Sequence, residues 1–416
     1  MYKVFKFGGA SIKDAASIRN IGRILLSYDF NQLVVIFSAM GKVTNMLENL
    51  VDLYFSQDKS FLLELENIKN FHNKILLDLF NEEHIIYDEV NNLFVEIEWI
   101  ITEPTDNSYA YNYDQIVSIG ELLSTKIMHA YLNDIGLKNT WFDIRDVIKT
   151  DNTYRNAKVD WDITSSLVQQ KFTEECYVTQ GFIASTSENY TTTLGREGSD
   201  FTAAIIAFSL DAKEVVIWKN VPGLMNADPN YFPDAKLLSN VSFDEAIELA
   251  FFGAKVIHPK TIQPLKKKGI TLRIKSFINE KLPGTIIEEL TTTNYDFASY
   301  IIKEKQILIS ISDRDLSFIV ENHISQIFDL LATHYISVNM MQNSAVSFSI
   351  CVDNDKYKIP KLINELQQYF KVAYNEGVSL YTIRNYKEED IQSLTDNKKI
   401  ILQQKSRNTL QFIALV

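Results

Sequence analysis

A polar, glycine-containing loop at residues 191–200 carries the side chains of this sequence that are best suited to chemistry. It precedes an apolar segment at 201–210 that is typical of a buried helix, and the start of a helix offers unpaired N–H groups and a positive dipole end that favour anions. Arg196 can bind a carboxylate or phosphate through its planar guanidinium, and Asp200 can orient a cation or a lysine. An ordinary loop in which Ser199 or Asp200 caps the helix would explain the same residues, so both interpretations are kept.

Two further small-residue loops follow apolar segments near the N-terminus. Residues 2–7 alternate like a strand and end at Gly8 and Gly9, whose bare backbone N–H groups can reach phosphoryl oxygens, with Lys6 next to them. A second loop, at 38–45, follows a continuous apolar run. Ligands of open α/β sheets bind at the carboxyl ends of strands, where both loops are expected. A tight strand-to-helix turn explains the two glycines equally well.

The elements that must position these loops alternate between strand and helix patterns. We predict strands at 2–7, 32–39, 141–145, 176–184, 214–218 and 271–277, and helices at 12–28, 46–104, 109–132, 201–210 and 242–253. This alternation is typical of an α/β fold around a parallel sheet.

Composition narrows the classes of function. A chain of 416 residues predicts two or three domains, and 46% hydrophobic with 23% charged residues is typical of a soluble globular protein. The net charge of −12, without blocks of Lys or Arg, argues against nucleic-acid binding. Neither a secretory signal nor a membrane-length apolar run is evident, so we expect a cytoplasmic protein that does not bind a membrane. Cys176 and Cys351 are too far apart for a metal or redox motif, and no metal ligands are predicted.

Five stretches, taken together and in order, resemble an aspartate kinase of the amino acid kinase superfamily over essentially the whole chain. They are Lys6-Phe7-Gly8-Gly9-Ala10-Ser11, Ser38-Ala39-Met40-Gly41, the 195–200 loop, Asp228-Pro229, and Gly253-Ala254-Lys255-Val256-Ile257-His258-Pro259. The resemblance implies a three-layer α/β sandwich. It also implies transfer of the γ-phosphoryl of ATP to the β-carboxylate of L-aspartate, the first step towards lysine, threonine and methionine, with ATP and Mg²⁺ as cofactors.

The same resemblance implies the roles of individual residues. Lys6 and Asp200 would be catalytic. Aspartate would be bound by Ser38, Thr44, Glu121, Phe182, Arg196 and Ser199, and ATP by Lys6, Gly8, Gly9, Trp218, Lys219, Asn220, Met225, Asn230 and Lys255. These roles suit the residue types, because a bidentate Arg196 can hold the α-carboxylate and Glu121 can pair with the α-amino group.

Several residues depart from the family pattern. Glu197 stands where a glycine is usual, Lys219-Asn220 where Thr-Asp is common, and Met225 and Asn230 replace a frequent Tyr and Arg. We expect Glu197 either to point away from the anion site or to pair with a nearby cation. The departures also keep open a catalytically weakened, amino-acid-sensing homologue or regulatory subunit. A glutamate kinase is a further alternative, disfavoured by the 38–41 loop and the last third of the chain.

That last third predicts a separate regulatory region. We expect a catalytic domain at 1–284, a linker at 285–304 and, at 305–416, two α+β units similar to ACT domains, the second of them abbreviated. The resemblance implies an amino-acid effector, lysine or threonine, bound by the ACT units, and a homodimer or larger homo-oligomer.

Overall fold

The computed structural model describes residues 1–28, 30–102, 107–173, 176–254, 256–290, 298–315, 317–396 and 398–415. The chain divides into two compact units. The first consists of Met1–Leu224, Leu237–Ile247 and Lys255–Thr291, and the second of Met225–Lys236, Glu248–Ala254 and Thr292–Val416. Within the described residues, no helix combines the length and the apolar character needed to cross a membrane.

The first unit is built on an eight-stranded sheet and a separate two-stranded hairpin. In chain order the strands are β1 (Lys3–Phe7), β2 (Leu33–Phe37), β3 (Thr140–Phe142), β4 (Cys176–Gln180), β5 (Ile183–Ser185), β6 (Thr191–Thr193), β7 (Glu214–Lys219), β8 (Asn240–Ser242), β9 (Thr271–Ser276) and β10 (Thr285–Glu288). The large sheet has the order β3-β4-β2-β1-β7-β9-β10-β8, and β5 pairs with β6. All neighbours in the large sheet are parallel except β9 and β10, so β1, β2, β4 and β7 end at the same edge.

Helices follow five of these ten strands in the chain, namely β1, β2, β3, β6 and β8. The helices are α1 (Ala15–Leu26), α2 (Val43–Phe55), α3 (Phe61–Leu79), α4 (Ile86–Thr102), α5 (Tyr109–Val117), α6 (Ile119–Asp134), α7 (Trp161–Lys171), α8 (Gly198–Ser209), α9 (Phe243–Phe252) and α10 (Pro259–Lys268). Short 3₁₀ segments lie at Gly9–Ile12 and Ile144–Asp146.

Several predicted elements are divided or have other bounds in the structure. The helical region predicted at 46–104 is the three helices α2, α3 and α4, and the strand predicted at 176–184 is the two strands β4 and β5. Two further differences have a local cause. Helix α1 begins only after Asp14, because the carboxylate of Asp14 accepts a hydrogen bond from the N–H of Ser17 at 2.7 Å and so caps the helix there. The helix predicted at 109–132 is two helices that meet at Ser118. The hydroxyl of Ser118 donates to the carbonyl of Gln115 at 3.0 Å, a local bond that competes with the regular helical pattern.

Alternation along β1 decides where Lys6 points. Phe5 and Phe7 face an apolar cluster formed with α1 to α6, in which the rings of Phe7 and Trp218 stack with centroids 5.5 Å apart. Lys6 lies between the two phenylalanines in the strand and therefore projects from the other face, where it meets α8. Helices cover both faces of the sheet, which confirms the predicted three-layer α/β fold class.

The second unit contains a six-stranded antiparallel sheet. Its elements are β11 (Ser299–Ser312), α11 (Glu321–Thr333), β12 (Val338–Asn343), β13 (Ser347–Asp353), α12 (Ile359–Tyr369), β14 (Lys371–Arg384), α13 (Glu388–Thr395), β15 (Ile400–Lys405) and β16 (Thr409–Leu415). The strand order is β12-β13-β11-β14-β16-β15. This is the α+β character expected of the C-terminal region.

The structure differs from the sequence prediction between 285 and 304, where we expected a linker. Strand β10 belongs to the sheet of the first unit, and β11 already begins at Ser299. The first part of β11 pairs with the second part of β14, starting at Ser299 opposite Arg384, whereas the second part of β11 pairs with the first part of β14. Bends with positive φ at Lys305 and Gly377 separate the two halves. The charged residues 303–305 at the bend hide the apolar alternation that would have marked one long strand.

Candidate active site

A cavity of about 580 Å³ opens in the first unit, where β1, β2 and β4 end and α8 begins. Its lining consists of Lys6, Ser38, Thr44, Asn45, Glu48, Tyr113, Glu121, Arg155, Phe182, Gly195, Arg196, Glu197, Gly198, Ser199 and Asp200. Every residue to which the sequence assigned catalysis or aspartate binding is among them. The structure therefore brings together side chains from five separate parts of the chain that the family resemblance had linked.

Asp200 lies between two ammonium groups. Nζ of Lys6 is 2.6 Å from Oδ1 and Nζ of Lys219 is 2.9 Å from Oδ2 of this carboxylate, whose side chain is 0% exposed. The register of β1 and β7 explains the arrangement, because Lys6 is opposite Ile217, and Lys219, two residues further along β7, projects from the same face. Asp200 reaches that face from the first turn of α8.

Electrostatics keep Asp200 ionised. Burial raises the pKa of this carboxyl. The charges of Lys6 and Lys219 lower it by more than burial raises it, and the resulting pKa is about 2. Burial lowers the pKa of Lys219, whereas Asp200 and Glu197 raise it, and the net shift is upward. Asp200 is thus a fixed negative charge and Lys219 a fixed positive one.

Glu121 is a second buried carboxyl of the cavity. Its Oε1 accepts a hydrogen bond from the N–H of Ala39 at 3.2 Å, while Oε2 is buried and has no hydrogen-bond partner in the described part of the chain. Burial raises the pKa of Glu121 to about 8, against the opposing effects of the Ala39 hydrogen bond and the charge of Lys6. A buried oxygen without a partner is costly, and an ammonium group of a ligand would satisfy it.

Close backbone contacts shape the loop before α8. Gly195 has a φ of 76°, a conformation that favours glycine. A Cβ on Gly198 would lie 2.6 Å from the ring of Phe182, and a Cβ on Gly181 would lie 2.5 Å from the Cβ of Ser199. The glycines therefore allow the two segments that carry Phe182 and Ser199 to touch.

The glycine pair lies beside Lys6 without lining the cavity. A Cβ on Gly9 would lie 2.6 Å from the carbonyl oxygen of Ala39 and 2.8 Å from that of Gly41, and a Cβ on Gly8 would lie 3.5 Å from Nζ of Lys6. The N–H of Gly41 donates to the carbonyl of Gly9 at 3.0 Å. The absence of a side chain at Gly9 is required for the first two loops to meet.

The residues assigned to ATP alone are dispersed. Trp218 is buried in the apolar core of the first unit, and Asn220 is exposed just beyond β7. Met225 and Asn230 belong to the second unit. Lys255 lies outside the described residues. The four of these residues that the structure describes, Trp218, Asn220, Met225 and Asn230, do not line the cavity.

Glu197 pairs with a cation, which was one of the two outcomes expected for it. Its Oε2 lies 3.6 Å from Nζ of Lys219, and the backbone of Glu197 has a φ of 55°. Two departures from the family pattern are therefore in contact with each other.

Sequence reasoning missed Arg155 at the cavity. Its guanidinium lies over the ring of Tyr113, with 4.5 Å from Cζ to the ring centroid, and the hydroxyl of Tyr113 donates to Glu48. Arg155 has a φ of 69°, which is unusual for a residue with a side chain. Within the described residues its guanidinium forms no ion pair. The sequence around Arg155 shows no motif. The one related sequence feature is the alternation of tyrosines at 109–113, which ends at the ring that Arg155 contacts.

A buried carboxylate anchors this arginine. Both oxygens of Asp114 accept from the N–H of Arg155, at 3.1 and 3.0 Å, and Asp114 also accepts from the N–H and the hydroxyl of Thr193 at 2.9 and 2.8 Å. Burial raises the pKa of Asp114 to about 6, while these hydrogen bonds oppose the rise. Asp114 thereby ties the turn of Arg155 to the strand that leads into the Gly195 loop.

Comparison with known proteins agrees with this geometry. Residues 1–276 match the amino acid kinase family. Lysine-sensitive aspartokinase 3 of Escherichia coli (strain K12) is 31% identical over 391 residues, which cover 91% of this chain and 86% of that protein. Aspartokinase 1, chloroplastic, of Arabidopsis thaliana is 31% identical over 87% of this chain and 65% of its own length. The chain spans 43% of the bifunctional aspartokinase/homoserine dehydrogenase 2, chloroplastic, of the same plant.

Solved structures show the same relationship. The crystal structure of Escherichia coli aspartokinase III with aspartate and ADP (R-state) has a TM-score of 0.85 at 27% identity and covers 100% of this chain and 96% of that one. The same enzyme with lysine and aspartate (T-state) has a TM-score of 0.84 at 28% identity, covering 99% and 95% of the two chains. With its first 276 residues matched and aspartokinases aligned along most of its length, the chain belongs to the amino acid kinase family and, within it, to the aspartokinases.

Proposed function

We propose that this protein is an ATP-dependent aspartate kinase, which converts L-aspartate to 4-phospho-L-aspartate. The observation that carries the proposal is one cavity in which Arg196 and the buried Oε2 of Glu121, which has no hydrogen-bond partner among the described residues, accompany the ion pair of Lys6 and Asp200. Such a cavity offers a cation for a carboxylate, an anion for an ammonium group and a further cation for a phosphoryl group. The reaction would supply the synthesis of lysine, threonine and methionine.

Each end of aspartate has a matching side chain. Arg196 binds the α-carboxylate through two N–H groups, and Glu121 accepts hydrogen bonds from the α-ammonium. Hydroxyl groups of Ser38, Thr44 and Ser199 line the same cavity and can orient the β-carboxylate. The substrate is then held by its non-reacting groups while its β-carboxylate stays free to react.

The chemical step brings two anions together. An oxygen of the β-carboxylate attacks the γ-phosphorus of ATP, the bond from that phosphorus to the bridging oxygen breaks, and ADP leaves with the electron pair. No general base is needed, because the carboxylate is already ionised, so positioning and charge neutralisation dominate. Lys6 supplies positive charge to the transferred group, and Asp200 fixes the position of Lys6.

Mg²⁺ enters with the nucleotide as part of the substrate. Among the described residues, no three His, Cys, Asp or Glu side chains are grouped so that they could hold an ion by themselves. Mg²⁺ commonly binds through substrate phosphates, waters and one or two carboxylates, and Asp200 is the ionised carboxylate nearest to Lys6.

Regulation is proposed for the C-terminal region. We assign catalysis to the first unit, whose sheet includes β10, and an ACT pair to the second unit, whose sheet includes β11 from Ser299 onwards, with lysine or threonine as effector and a homo-oligomeric assembly. The six-stranded antiparallel sheet with helices α11 to α13 supports an α+β regulatory unit. The lysine-bound structure of the Escherichia coli relative supports an amino-acid effector of this kind.

The test is formation of the acyl phosphate, trapped as its hydroxamate, with Mg-ATP and either L-aspartate or L-glutamate, with and without lysine or threonine. We expect hydroxamate to form from aspartate and not from glutamate. We also expect either lysine or threonine to inhibit the reaction with aspartate. Product from glutamate instead would assign a glutamate kinase. No product from folded protein, together with no ATP-dependent rise in melting temperature, would contradict the kinase function and favour the amino-acid-sensing homologue.

A further inference from the structure

The two lysines that hold Asp200 differ in their carboxylate partners. Lys6 lines the cavity and pairs with Asp200, whereas Lys219 is not among the described residues that line the cavity and contacts both Asp200 and Glu197. A phosphoryl group that enters the cavity can therefore compete with one carboxylate for Lys6, while Lys219 is held by two. This difference assigns the two ammonium groups to different tasks, provided that the proposed kinase function holds.

Asp200 would be left in an unfavourable state if Lys6 were its only partner. When Nζ of Lys6 also binds the transferred phosphoryl group, its charge is shared with that group, and Oδ1 keeps only part of its counter-charge while the carboxylate remains buried. A buried charge without a partner is strongly destabilising, so the step would be opposed. Lys219, 2.9 Å from Oδ2, supplies a counter-charge that stays in place.

We propose that Lys219 is a positioning residue of the phosphoryl-transfer centre, which holds Asp200 while Lys6 binds the transferred group, and that Glu197 is its matched counter-charge. The proposal rests on the kinase function described above. It gives Lys219 a task distinct from direct binding of the nucleotide.

Glu197 completes the balance of charge. Alone, a carboxylate at the cavity wall would repel both anionic substrates, but Oε2 of Glu197 lies 3.6 Å from Nζ of Lys219. The four groups Lys6, Lys219, Asp200 and Glu197 carry two positive and two negative charges, so the cluster is neutral. Loss of Lys219 alone would leave it negative towards incoming ATP and aspartate.

The experiment is steady-state kinetics of the full-length protein with the variant Lys219→Met, which keeps the apolar stem and removes the charge. We expect kcat to fall by about tenfold or more, because Asp200 is no longer held. The Michaelis constant for aspartate should rise by no more than about threefold, since Lys219 is not among the described residues that line the cavity and acts on aspartate only through the net charge of the cluster. The kcat–pH profile should gain an acid limb, because Asp200 with one cation fewer binds a proton at higher pH.

A matched control lies on the same two strands. Lys3 of β1 pairs with Glu214 of β7 at 3.5 Å, at the end of the strands remote from the cavity. Lys3→Met removes an equivalent lysine and should leave kcat and its pH profile unchanged. An ion pair with only a structural role would change melting temperature but would not move the pH profile.

A double-mutant cycle tests the pairing of the two residues. We expect Glu197→Gln to restore at least about threefold of the activity lost in Lys219→Met, because the double variant no longer has a net negative cluster. Unchanged kcat and pH profile in Lys219→Met, with an active wild type, would overturn the role of Lys219 and leave the kinase function intact. A double variant no better than Lys219→Met would overturn the matching of Glu197. A folded wild type that forms no aspartyl phosphate would instead remove the kinase function itself.

Discussion

Nζ of Lys6 lies 2.6 Å from Oδ1 of Asp200, and both side chains are almost entirely buried at the wall of the cavity. Two distant parts of the chain produce this contact: a strand in the middle of the parallel sheet and the first turn of a helix on its face. The pair fixes a positive charge at the place where, in the proposed reaction, negative charge is transferred. Preorganised charge of this kind is a major contribution to phosphoryl-transfer catalysis.

Replacing Lys6 tests this charge. We expect Lys6→Ala to lower kcat by roughly 10²-fold or more, as loss of one preorganised charge-stabilising donor does. Hydroxamate formation at saturating aspartate and Mg-ATP gives the rate, and Lys3→Ala on the same strand is the control. Activity within about threefold of wild type would remove Lys6 from the reaction centre.

Replacing Arg196 tests the amino-acid end of the cavity. Arg196→Ala removes a charge-assisted hydrogen-bonding group worth about 1.5–3 kcal/mol, so we expect the Michaelis constant for aspartate to rise by roughly 10- to 100-fold. The Michaelis constant for Mg-ATP should change little. The Michaelis constant of Arg196→Lys for aspartate should lie between those of the wild type and Arg196→Ala. An unchanged constant for aspartate in Arg196→Ala would mean that the carboxylate is bound elsewhere.

The pH dependence of aspartate use should report Glu121. The pKa of this buried carboxyl is raised to about 8, and only its ionised form attracts the α-ammonium of aspartate. The value of kcat/KM for aspartate should therefore rise with pH, by about tenfold per unit, and level off above about pH 8. Glu121→Gln should lose this limb and bind aspartate more weakly at high pH. A wild-type profile that is flat from about pH 6 to 9 would exclude Glu121 as the partner of the amino group.

Two substitutions at Arg155 separate its side chain from its backbone. Arg155→Gly and Arg155→Ala both remove the guanidinium that lies over Tyr113 at the cavity, so we expect both to raise the Michaelis constant for aspartate by about three- to tenfold. Glycine accepts the φ of 69° at this position, whereas alanine is strained there by about 1 kcal/mol, so Arg155→Ala should melt at the lower temperature. Equal constants for both variants and wild type would show that Arg155 does not act on the substrate.

Local sequence patterns were sufficient to predict much of the fold. Apolar strands that end in small polar residues, such as 2–7 before Gly8 and 32–39 before the 38–45 loop, predicted strands whose loops meet at one edge of the sheet. The parallel register then explains why Lys6 and Asp200 meet. The catalytic and aspartate-binding residues proposed from the resemblance lie in one cavity, although their individual roles stay predictions.

Contacts between distant, patternless residues could not be predicted in the same way. The pairing of Glu197 with Lys219 depends on the register of β7 and on the positive φ of Glu197 itself, just before α8. Neither feature produces a periodic pattern in the sequence. Arg155 reaches the cavity because buried Asp114 binds its backbone, a contact between two otherwise unremarked segments. The strand that begins at Ser299 was hidden by the charged residues at its bend.

The long strand β11 also sets the order in which strands of the second unit can pair while the chain is being synthesised. Its first part, from Ser299 to Lys303, pairs with residues of β14 that leave the ribosome later, after the whole of α11, β12, β13 and α12. Until then one end of a strand lies beside a growing half-sheet without its partner, and an unpaired strand edge can join a wrong strand. Once β14 has emerged, the pairing of β12, β13, β11 and β14 can be completed, whereas β16 and β15 can join the sheet only at the end of synthesis.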